Sequence, residues 1–276
     1  MKFINANGVN IPVLGLGTFN LHGDVCSGIV TKALEVGYRH IDTAAFYDNE
    51  SDVGAGIKAS RTNRDDIFVT TKVWPSEVRN GAFQQSVEAS LMRLDTSYVD
   101  LLLIHWPPQN GDVANWAALL NEAAERGWAR NIGVSNFTVE LLDQFVAASP
   151  RPICVNQVEN HPLIDQSKIR AACTRHGLAL LGYCPLFKGG ELFQHDAVEA
   201  ISQATGKTPA QIVLRWHIQH EAAGAIPKTA TPARLVENFD IFDFVLDDEQ
   251  MDSLNNLTCT HKRLCDYEFS PDWDPT

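Results

Sequence analysis

The chain alternates short apolar runs with longer amphipathic segments along most of its length. Eight apolar runs occur, and most of them are rich in Val, Ile and Leu. They cover residues 13–17, 38–42, 67–74, 99–106, 131–137, 153–160, 178–185 and 223–229. Because short continuous apolar runs are typical of strands buried on both faces, they predict a parallel sheet.

Apolar residues recur at helical spacing between these runs. The spacing predicts helices over residues 27–36, 83–94, 116–124, 139–148, 167–176, 197–205 and 209–219. Eight strands that are nearly all followed by a helix predict an α/β fold, the (β/α)8 TIM barrel, as one domain over residues 1–276. The alternative is a doubly wound sheet with a dinucleotide fingerprint. However, Gly15-Leu16-Gly17 lacks the third glycine and leads into no helix, which favours the barrel.

The two ends of the chain are expected to close the barrel. Residues 3–11 are typical of a β-hairpin that turns at Asn7-Gly8, because Asn-Gly is a favoured two-residue turn. A hairpin ahead of the first barrel strand would plug the bottom of the barrel. The irregular segment from Thr258 onward carries Trp273 and is expected to fold over the open end.

Charge and cysteine content exclude several classes of partner. The chain has 22 basic and 34 acidic residues, a formal net charge of -12, which disfavours binding to nucleic acid or to anionic membranes. It shows neither a signal-peptide core at the N-terminus nor an apolar run long enough to span a membrane. Six cysteines without a Cys-x-x-Cys pair predict reduced, buried thiols in a cytoplasmic protein.

Polar residues lie near the carboxyl ends of seven successive apolar runs. In a barrel these positions converge on the top face, where barrel active sites lie. Each residue alone has an ordinary structural interpretation, such as a satisfied histidine, a lysine extending to solvent or an aspartate that caps a turn. Their joint recurrence predicts a site. The residues are Asp42, Lys72, His105, Ser135, Asn136, Gln157, Tyr183, Lys228 and Thr229.

Longer segments around these residues resemble the aldo-keto reductase family. Residues 37–50 (GYRHIDTAAFYDNE), 128–137 (WARNIGVSNF) and 226–229 (IPKT) match its signatures, and the strands between them match as well. The resemblance covers essentially the whole chain and is strongest to the compact bacterial type that reduces 2,5-diketo-D-gluconate or methylglyoxal. It implies a barrel enzyme that reduces a small-molecule carbonyl compound with NADP(H) and acts as a monomer.

The resemblance assigns catalysis to four positions, with Tyr47 as the proton donor. Reduction of a carbonyl produces an alkoxide that needs a proton, and a free tyrosine with a pKa near 10 is a reluctant acid. Lys72 is expected to lower the pKa of Tyr47, and Asp42 to hold Lys72 in place. His105 is expected to donate a hydrogen bond to the carbonyl oxygen.

The cofactor site follows from the same resemblance. Lys228 and Arg234 form a basic cluster suited to the 2'-phosphate of NADP, while Tyr183 is expected to stack on the nicotinamide ring. Cys184 stands where the family commonly has serine, and Thr229 replaces another serine. The full set implied for the cofactor is Gly17, Thr18, Asp42, Ser135, Asn136, Gln157, Tyr183, Pro185, Leu186, Ile226, Lys228, Thr229, Arg234, Glu237 and Asn238.

Aromatic residues just beyond the strands predict an apolar substrate pocket. The predicted substrate residues are Phe19, Tyr47, Trp74, His105, Trp106 and Trp273. Two other classes stay open: an NADPH-binding barrel with a redox-sensing role, and a metal-dependent barrel hydrolase. The second class needs a ligand set that His217 and His220, three residues apart in a helical pattern, do not supply. No metal is therefore expected.

Overall fold

Eight parallel strands form the barrel in the computed structural model, which describes residues 1–79, 81–109 and 112–275. Each strand pairs with its neighbour in the sequence. Leu14 bridges Ala225 in parallel and joins the first strand to the last, so the predicted TIM barrel is confirmed. The strands are β3 (Leu16–Gly17), β4 (His40–Asp42), β5 (Phe68–Val73), β6 (Val99–Ile104), β7 (Ala129–Ser135), β8 (Val155–Glu159), β9 (Ala179–Tyr183) and β10 (Ala223–Ala225).

Helices follow the strands around the outside. They are α1 (Gly23–Val36), α2 (Glu50–Ala59), α3 (Pro75–Arg79), α4 (Phe83–Leu94), α5 (Val113–Glu125), α6 (Val139–Ala148), α7 (Ser167–His176), α8 (Asp196–Thr205), α9 (Pro209–Gln219), α10 (Pro232–Phe239) and α11 (Asp248–Asn255). The predicted bounds of α4, α6, α7 and α9 are confirmed. Thr208 caps α9 with a reciprocal capping box, and Pro209 opens the helix. The predicted starts of α1, α5 and α8 lie too far along the chain. Helix α1, for example, begins at Gly23, four residues before its predicted start.

Helix α2 was not predicted, because two glycines interrupt its pattern. Glycine normally weakens a helix interior. Here a Cβ at Gly54 would lie 2.6 Å from the carbonyl oxygen of Leu94, and a Cβ at Gly56 would lie 2.6 Å from that of Ser27. The glycines therefore allow α2 to pack closely against its neighbours.

The N-terminal hairpin closes the bottom of the barrel, as predicted. Strand β1 (Phe3–Ala6) pairs with β2 (Val9–Pro12), and both Asn7 and Gly8 have positive φ angles. The Asn7 amide donates to the carbonyl oxygens of Ile153, 2.8 Å away, and His176, 3.0 Å away. Ile153 precedes β8 and His176 ends α7, so the turn lies at the end of the barrel opposite the strands' carboxyl termini.

The cysteine prediction is only half correct. All six cysteines are free, and burial raises the pKa of Cys26, Cys154 and Cys173 to about 12. Three others are not buried, because they lie outside the barrel strands and the helices that cover them: Cys184, Cys259 and Cys265.

No helix in the described ranges has the length and apolarity that crossing a membrane would require.

Candidate active site

Lys72 is the centre of a buried polar cluster at the top of the barrel. Its side chain is fully buried. The Nζ atom lies 2.5 Å from Asp42 Oδ1, 2.8 Å from the Thr43 carbonyl oxygen and 3.4 Å from Tyr47 Oη. An ammonium group has three donors, and each has a partner here. The structure thus brings together three of the four residues predicted to be catalytic.

Tyr47 reaches Lys72 from a short 3₁₀ helix, Ala45–Tyr47, that follows β4. The next turn is fixed by Asn49, whose side chain is buried. The Asn49 amide donates to the carbonyl oxygens of Thr18 and Leu21, and its own oxygen accepts from Thr43 Oγ1. Tyr47 remains partly exposed to the opening of the barrel. Its hydroxyl lies within hydrogen-bond distance of Lys72 at this end of the barrel.

Burial has the largest effect on the pKa values of both Tyr47 and Lys72. Burial, followed by the charge of Asp42, raises the pKa of Tyr47 well above its ordinary value. Burial likewise lowers the pKa of Lys72, against the opposing effect of Asp42. Removal from water dominates the pKa of Tyr47 in this structure, and the expectation that Lys72 lowers this pKa stays a prediction. Tyr47 therefore holds its proton firmly near neutral pH.

His105 stands beside this cluster, one residue beyond β6. Burial and then the charge of Lys72 lower its pKa well below 6.5, so the ring is neutral at physiological pH. Its Nδ1 atom has no hydrogen-bond partner among the described residues. The ring makes edge contacts with Tyr47 and Trp74, with centroids 5.4 and 5.2 Å apart. A neutral imidazole in this position can donate a hydrogen bond to a carbonyl oxygen without carrying charge.

Side-chain amides extend the polar cluster across the barrel. Gln157 Nε2 donates to Asp42 Oδ2 at 2.7 Å, and Tyr183 Oη donates to Asn136 Oδ1 at 2.8 Å. Asn136 Nδ2 in turn donates to Ser135 Oγ at 3.1 Å. Five of the predicted cofactor residues, Asp42 among them, thus lie in networks that converge on the top face.

The loop after β9 carries two further predicted positions, Pro185 and Leu186, and also Cys184. The Pro185 carbonyl oxygen accepts a hydrogen bond from His217 Nε2 at 3.1 Å, and Leu186 packs against the core. Cys184 has a φ of 49°, in the left-handed region. The usual serine is thus replaced at a sharp bend next to Tyr183.

The first and last barrel strands meet beside the next group of predicted residues. Gly17 N donates to the Pro227 carbonyl oxygen at 3.0 Å, and Thr18 Oγ1 donates to that of Asp42. A Cβ at Gly17 would lie 2.9 Å from the carbonyl oxygen of Ile226. This close approach of backbone to backbone explains the glycine.

The predicted phosphate-binding residues surround the N-terminus of α10. Lys228 and Thr229 lie beyond β10 rather than at its end, because the strand stops at Ala225. Lys228 and Arg234 are exposed, and no carboxylate of the described chain lies within 4.0 Å of either. Two unpaired cations at a helix N-terminus in an acidic chain fit a phosphate group. The neighbouring α10 positions in the predicted set are Glu237, which is partly exposed, and Asn238, which is buried.

Aromatic side chains form a wall above the cluster. Phe19 lies 5.0 Å from Tyr47, and Trp106 lies 6.0 Å from Trp273, both measured between ring centroids. The sequence interpretation missed three members of this wall. Phe46 stacks on Trp74 at 4.0 Å, Phe269 contacts Trp74 and Trp106 at 5.4 and 5.3 Å, and Tyr267 stacks on Phe269. Their signal in the sequence is the presence of aromatic residues in an otherwise polar tail and beside Tyr47.

No three His, Cys, Asp or Glu side chains lie together as a possible metal site in residues 1–79, 81–109 and 112–275. His217 is instead a buried hydrogen-bonding residue, since its Nδ1 contacts the Asn160 amide at 3.2 Å.

The sequence and the fold match known proteins over almost their whole lengths. The model of the aldo/keto reductase family matches residues 13–258. Methylglyoxal reductase DkgA from Yersinia pestis is 42% identical over 257 residues, which cover 92% of this chain and 91% of that protein. Glyoxal reductase from Bacillus subtilis is 40% identical over 252 residues, with 91% and 90% covered.

Solved structures agree with these relatives. A protein provisionally named 2,5-diketo-D-gluconic acid reductase B superposes with a TM-score of 0.96 at 40% identity and covers 100% of this chain and 98% of its own. Aldose reductase from Schistosoma japonicum superposes with a TM-score of 0.91 at 30% identity, with 99% of each chain covered. The chain therefore belongs to the aldo/keto reductase family of oxidoreductases.

Proposed function

We propose that this chain reduces aldehydes and ketones to alcohols with NADPH, with Tyr47 as the general acid. The observation that carries the proposal is the arrangement around Lys72. Its third donor points to Tyr47 Oη, so that oxygen accepts from Lys72 and its own proton is free for a substrate oxygen. The raised pKa keeps that proton in place until an alkoxide forms.

The four predicted catalytic residues have distinct roles in this proposal. Tyr47 supplies the proton, and Lys72 stabilises the phenolate that remains. Asp42 keeps Lys72 charged and oriented through the 2.5 Å ion pair. Neutral His105 orients the carbonyl oxygen by donating a hydrogen bond to it.

NADPH supplies the hydride when it is bound. Ser135, Asn136 and Gln157 would hold the carboxamide, with Tyr183 against the ring. Lys228 and Arg234, which no carboxylate of the described chain neutralises, would bind the 2'-phosphate. The remaining predicted positions, from Gly17 and Thr18 to Asn238, would line the path between these two ends.

The proposed substrates are small α-keto aldehydes such as methylglyoxal and keto sugars such as 2,5-diketo-D-gluconate. The names of the relatives support this choice. One copy of the chain contains every residue of the proposed site, which supports the predicted monomer. The free cysteines fit the predicted cytoplasmic location.

A turnover assay with methylglyoxal and NADPH tests the proposal directly. Tyr47→Phe removes the proton donor and is expected to lower kcat by about 10²–10⁴-fold. Tyr98→Phe is the matched control, because Tyr98 lies just before β6 at the other end of the barrel and donates to Asp65. Oxidation of NADPH no faster than in Tyr47→Phe would favour a redox-sensing NADPH-binding role instead.

The cofactor assignment has its own test. Lys228→Ala with Arg234→Ala should weaken NADPH binding at least about tenfold more than NADH binding, because only NADPH carries the 2'-phosphate. Titration of protein fluorescence with each cofactor measures both constants. Lys32→Ala with Arg126→Ala removes two exposed charges elsewhere and serves as the control. Equal losses for both cofactors would refute the 2'-phosphate assignment.

A further inference from the structure

The last segment of the chain crosses the opening of the barrel without regular secondary structure. Residues 261–275, called the tail below, follow α11 and a short 3₁₀ helix, Asn256–Thr260. The tail carries Tyr267, Phe269 and Trp273, each of which contacts Trp106 with ring centroids 5.3–6.0 Å apart. An irregular segment has few backbone hydrogen bonds of its own, so its position depends on what holds it.

One buried carboxylate holds the start of the tail. Glu159 is the last residue of β8 and is fully buried. Its Oε1 accepts the N–H of Leu264 at 2.7 Å, and its Oε2 accepts the N–H of Cys265 at 2.8 Å. A carboxylate that receives two successive backbone N–H groups fixes both the position and the direction of that segment.

His161 completes the anchor. Its Nδ1 accepts the N–H of Leu163 at 3.3 Å, so Nε2 carries the proton and donates to Glu159 Oε1 at 2.8 Å. Burial alone would raise the pKa of Glu159, but the hydrogen bonds from His161 and the tail together lower it. The carboxylate is therefore ionised although it is buried, and it belongs to no part of the Lys72 cluster.

The far end of the tail is attached separately. The Asp274 carboxylate accepts the N–H of Val139 at the start of α6, 3.0 Å away. Between the two ends, Gln109 Nε2 donates to the Glu268 carbonyl oxygen at 2.8 Å. The three tail aromatics thus lie between Glu159 and Asp274, with a further contact at Glu268. Phe269 in the middle contacts Trp74, whose ring is 5.2 Å from that of His105.

We propose that Glu159 is a specificity-determining positioning residue, which fixes the tail aromatics over the site and so favours carbonyl compounds with an aromatic or extended apolar group. The inference rests on the proposed carbonyl reduction. A small aldehyde such as methylglyoxal is too short to use this wall fully. Phenylglyoxal has the same reacting groups and an added ring, so it would gain from contact with Phe269 and its neighbours.

Glu159→Gln tests the anchor with little change in shape. A glutamine offers one acceptor oxygen where three N–H donors converge, and its own amide would face one of them. We expect kcat/KM for phenylglyoxal to fall about tenfold relative to methylglyoxal, mainly through KM. We also expect trypsin to cut faster after Lys262 or Arg263, a readout that needs no turnover.

Two further variants keep the result interpretable. Phe269→Ala should reproduce the lost preference for phenylglyoxal while leaving the rate of cleavage after Lys262 or Arg263 unchanged. Asp65→Asn removes an exposed charge before β5 and should change neither quantity. Thermal unfolding of each variant checks that the barrel is intact.

The outcomes separate the two proposals. Faster tail cleavage together with a lost aromatic preference supports the role of Glu159. Unchanged cleavage, or faster cleavage with an unchanged preference, overturns it. If the wild-type chain reduces neither aldehyde with either cofactor, the proposed function fails, and the cleavage rates still report whether Glu159 holds the tail.

Discussion

The ends of β4 and β5 and the tail face each other across the same opening, but they differ in composition and support. Asp42 and Lys72 are at most 1% exposed and are held by the barrel's own strands. Tyr267 is 50% exposed, and its segment is held only at a few points along its length. One region is charged and rigid, and the other is aromatic and loosely supported.

This difference separates two tasks. A buried ion pair can stabilise a developing charge only if its atoms do not move, so it belongs on strands. A surface that selects among substrates tolerates movement, and it can be altered without disturbing the strands. We therefore expect changes at the strand ends to affect both stability and turnover, whereas changes in the tail should affect selectivity.

The largest expected effect tests the strand ends. Lys72→Met leaves the buried Asp42 carboxylate without its cation, which should lower the free energy of unfolding by about 3–5 kcal/mol and abolish most turnover. Urea unfolding and the NADPH assay measure the two quantities. Adding Asp42→Asn should restore much of the stability but not the activity. A stable Lys72→Met single variant would contradict this account of the pair.

An intermediate effect tests two buried histidines, His40 on β4 and His217 on α9, by pH. Burial lowers the pKa of His40 to about 4 and that of His217 to about 3. Both values lie below the unfolded value of about 6.5, so the unfolded chain takes up protons first as the pH falls. Stability should be complete above about pH 6.5 and decrease toward pH 4.

The size of this pH effect can be measured on one variant. Each histidine should contribute about 2 kcal/mol of lost stability between pH 7 and pH 5. Urea unfolding of His40→Asn at both pH values should show a correspondingly smaller pH dependence than the wild type. An identical dependence would mean that His40 is not responsible.

The smallest effect concerns the far end of the tail. Asp274→Asn removes a negative charge from the N-terminus of α6. The free energy of unfolding should fall by no more than about 1 kcal/mol. Hydrogen exchange at the Val139 amide should become faster, while that in β5 should not change. Protection lost in β5 as well would show that the tail and the strands are one cooperative unit.

The sequence predicted the strands better than the parts between them. Buried strands leave a continuous apolar signal, so all eight were placed, and the polar residues at their ends followed. Helix α2 was missed because Gly54 and Gly56 serve packing against distant residues, which local propensity does not report. The net rise in the pKa of Tyr47 was not predicted, because it depends on burial rather than on residue identity.

The tail was the least predictable region. Its path is set by long-range contacts from Glu159 and to Val139, and no periodic pattern encodes them. Trp273 was chosen because it is a tryptophan near the end of the chain. Phe269 contacts both Trp74 and Trp106, but it lies in a segment for which the sequence predicts only irregular structure.

The barrel is closed by few bonds where its first strand meets its last. Hydrogen bonds join Gly15 to Ala225, Ala225 to Val13, and Gly17 to Pro227. The residues proposed to bind the cofactor, among them Thr18 and Lys228, lie on both sides of this junction. A dinucleotide bound there would connect the beginning of the barrel to its end. Because such a ligand would bind only the folded chain, its binding would raise the melting temperature of the entire chain. The ligand would then be a structural element as well as a reactant.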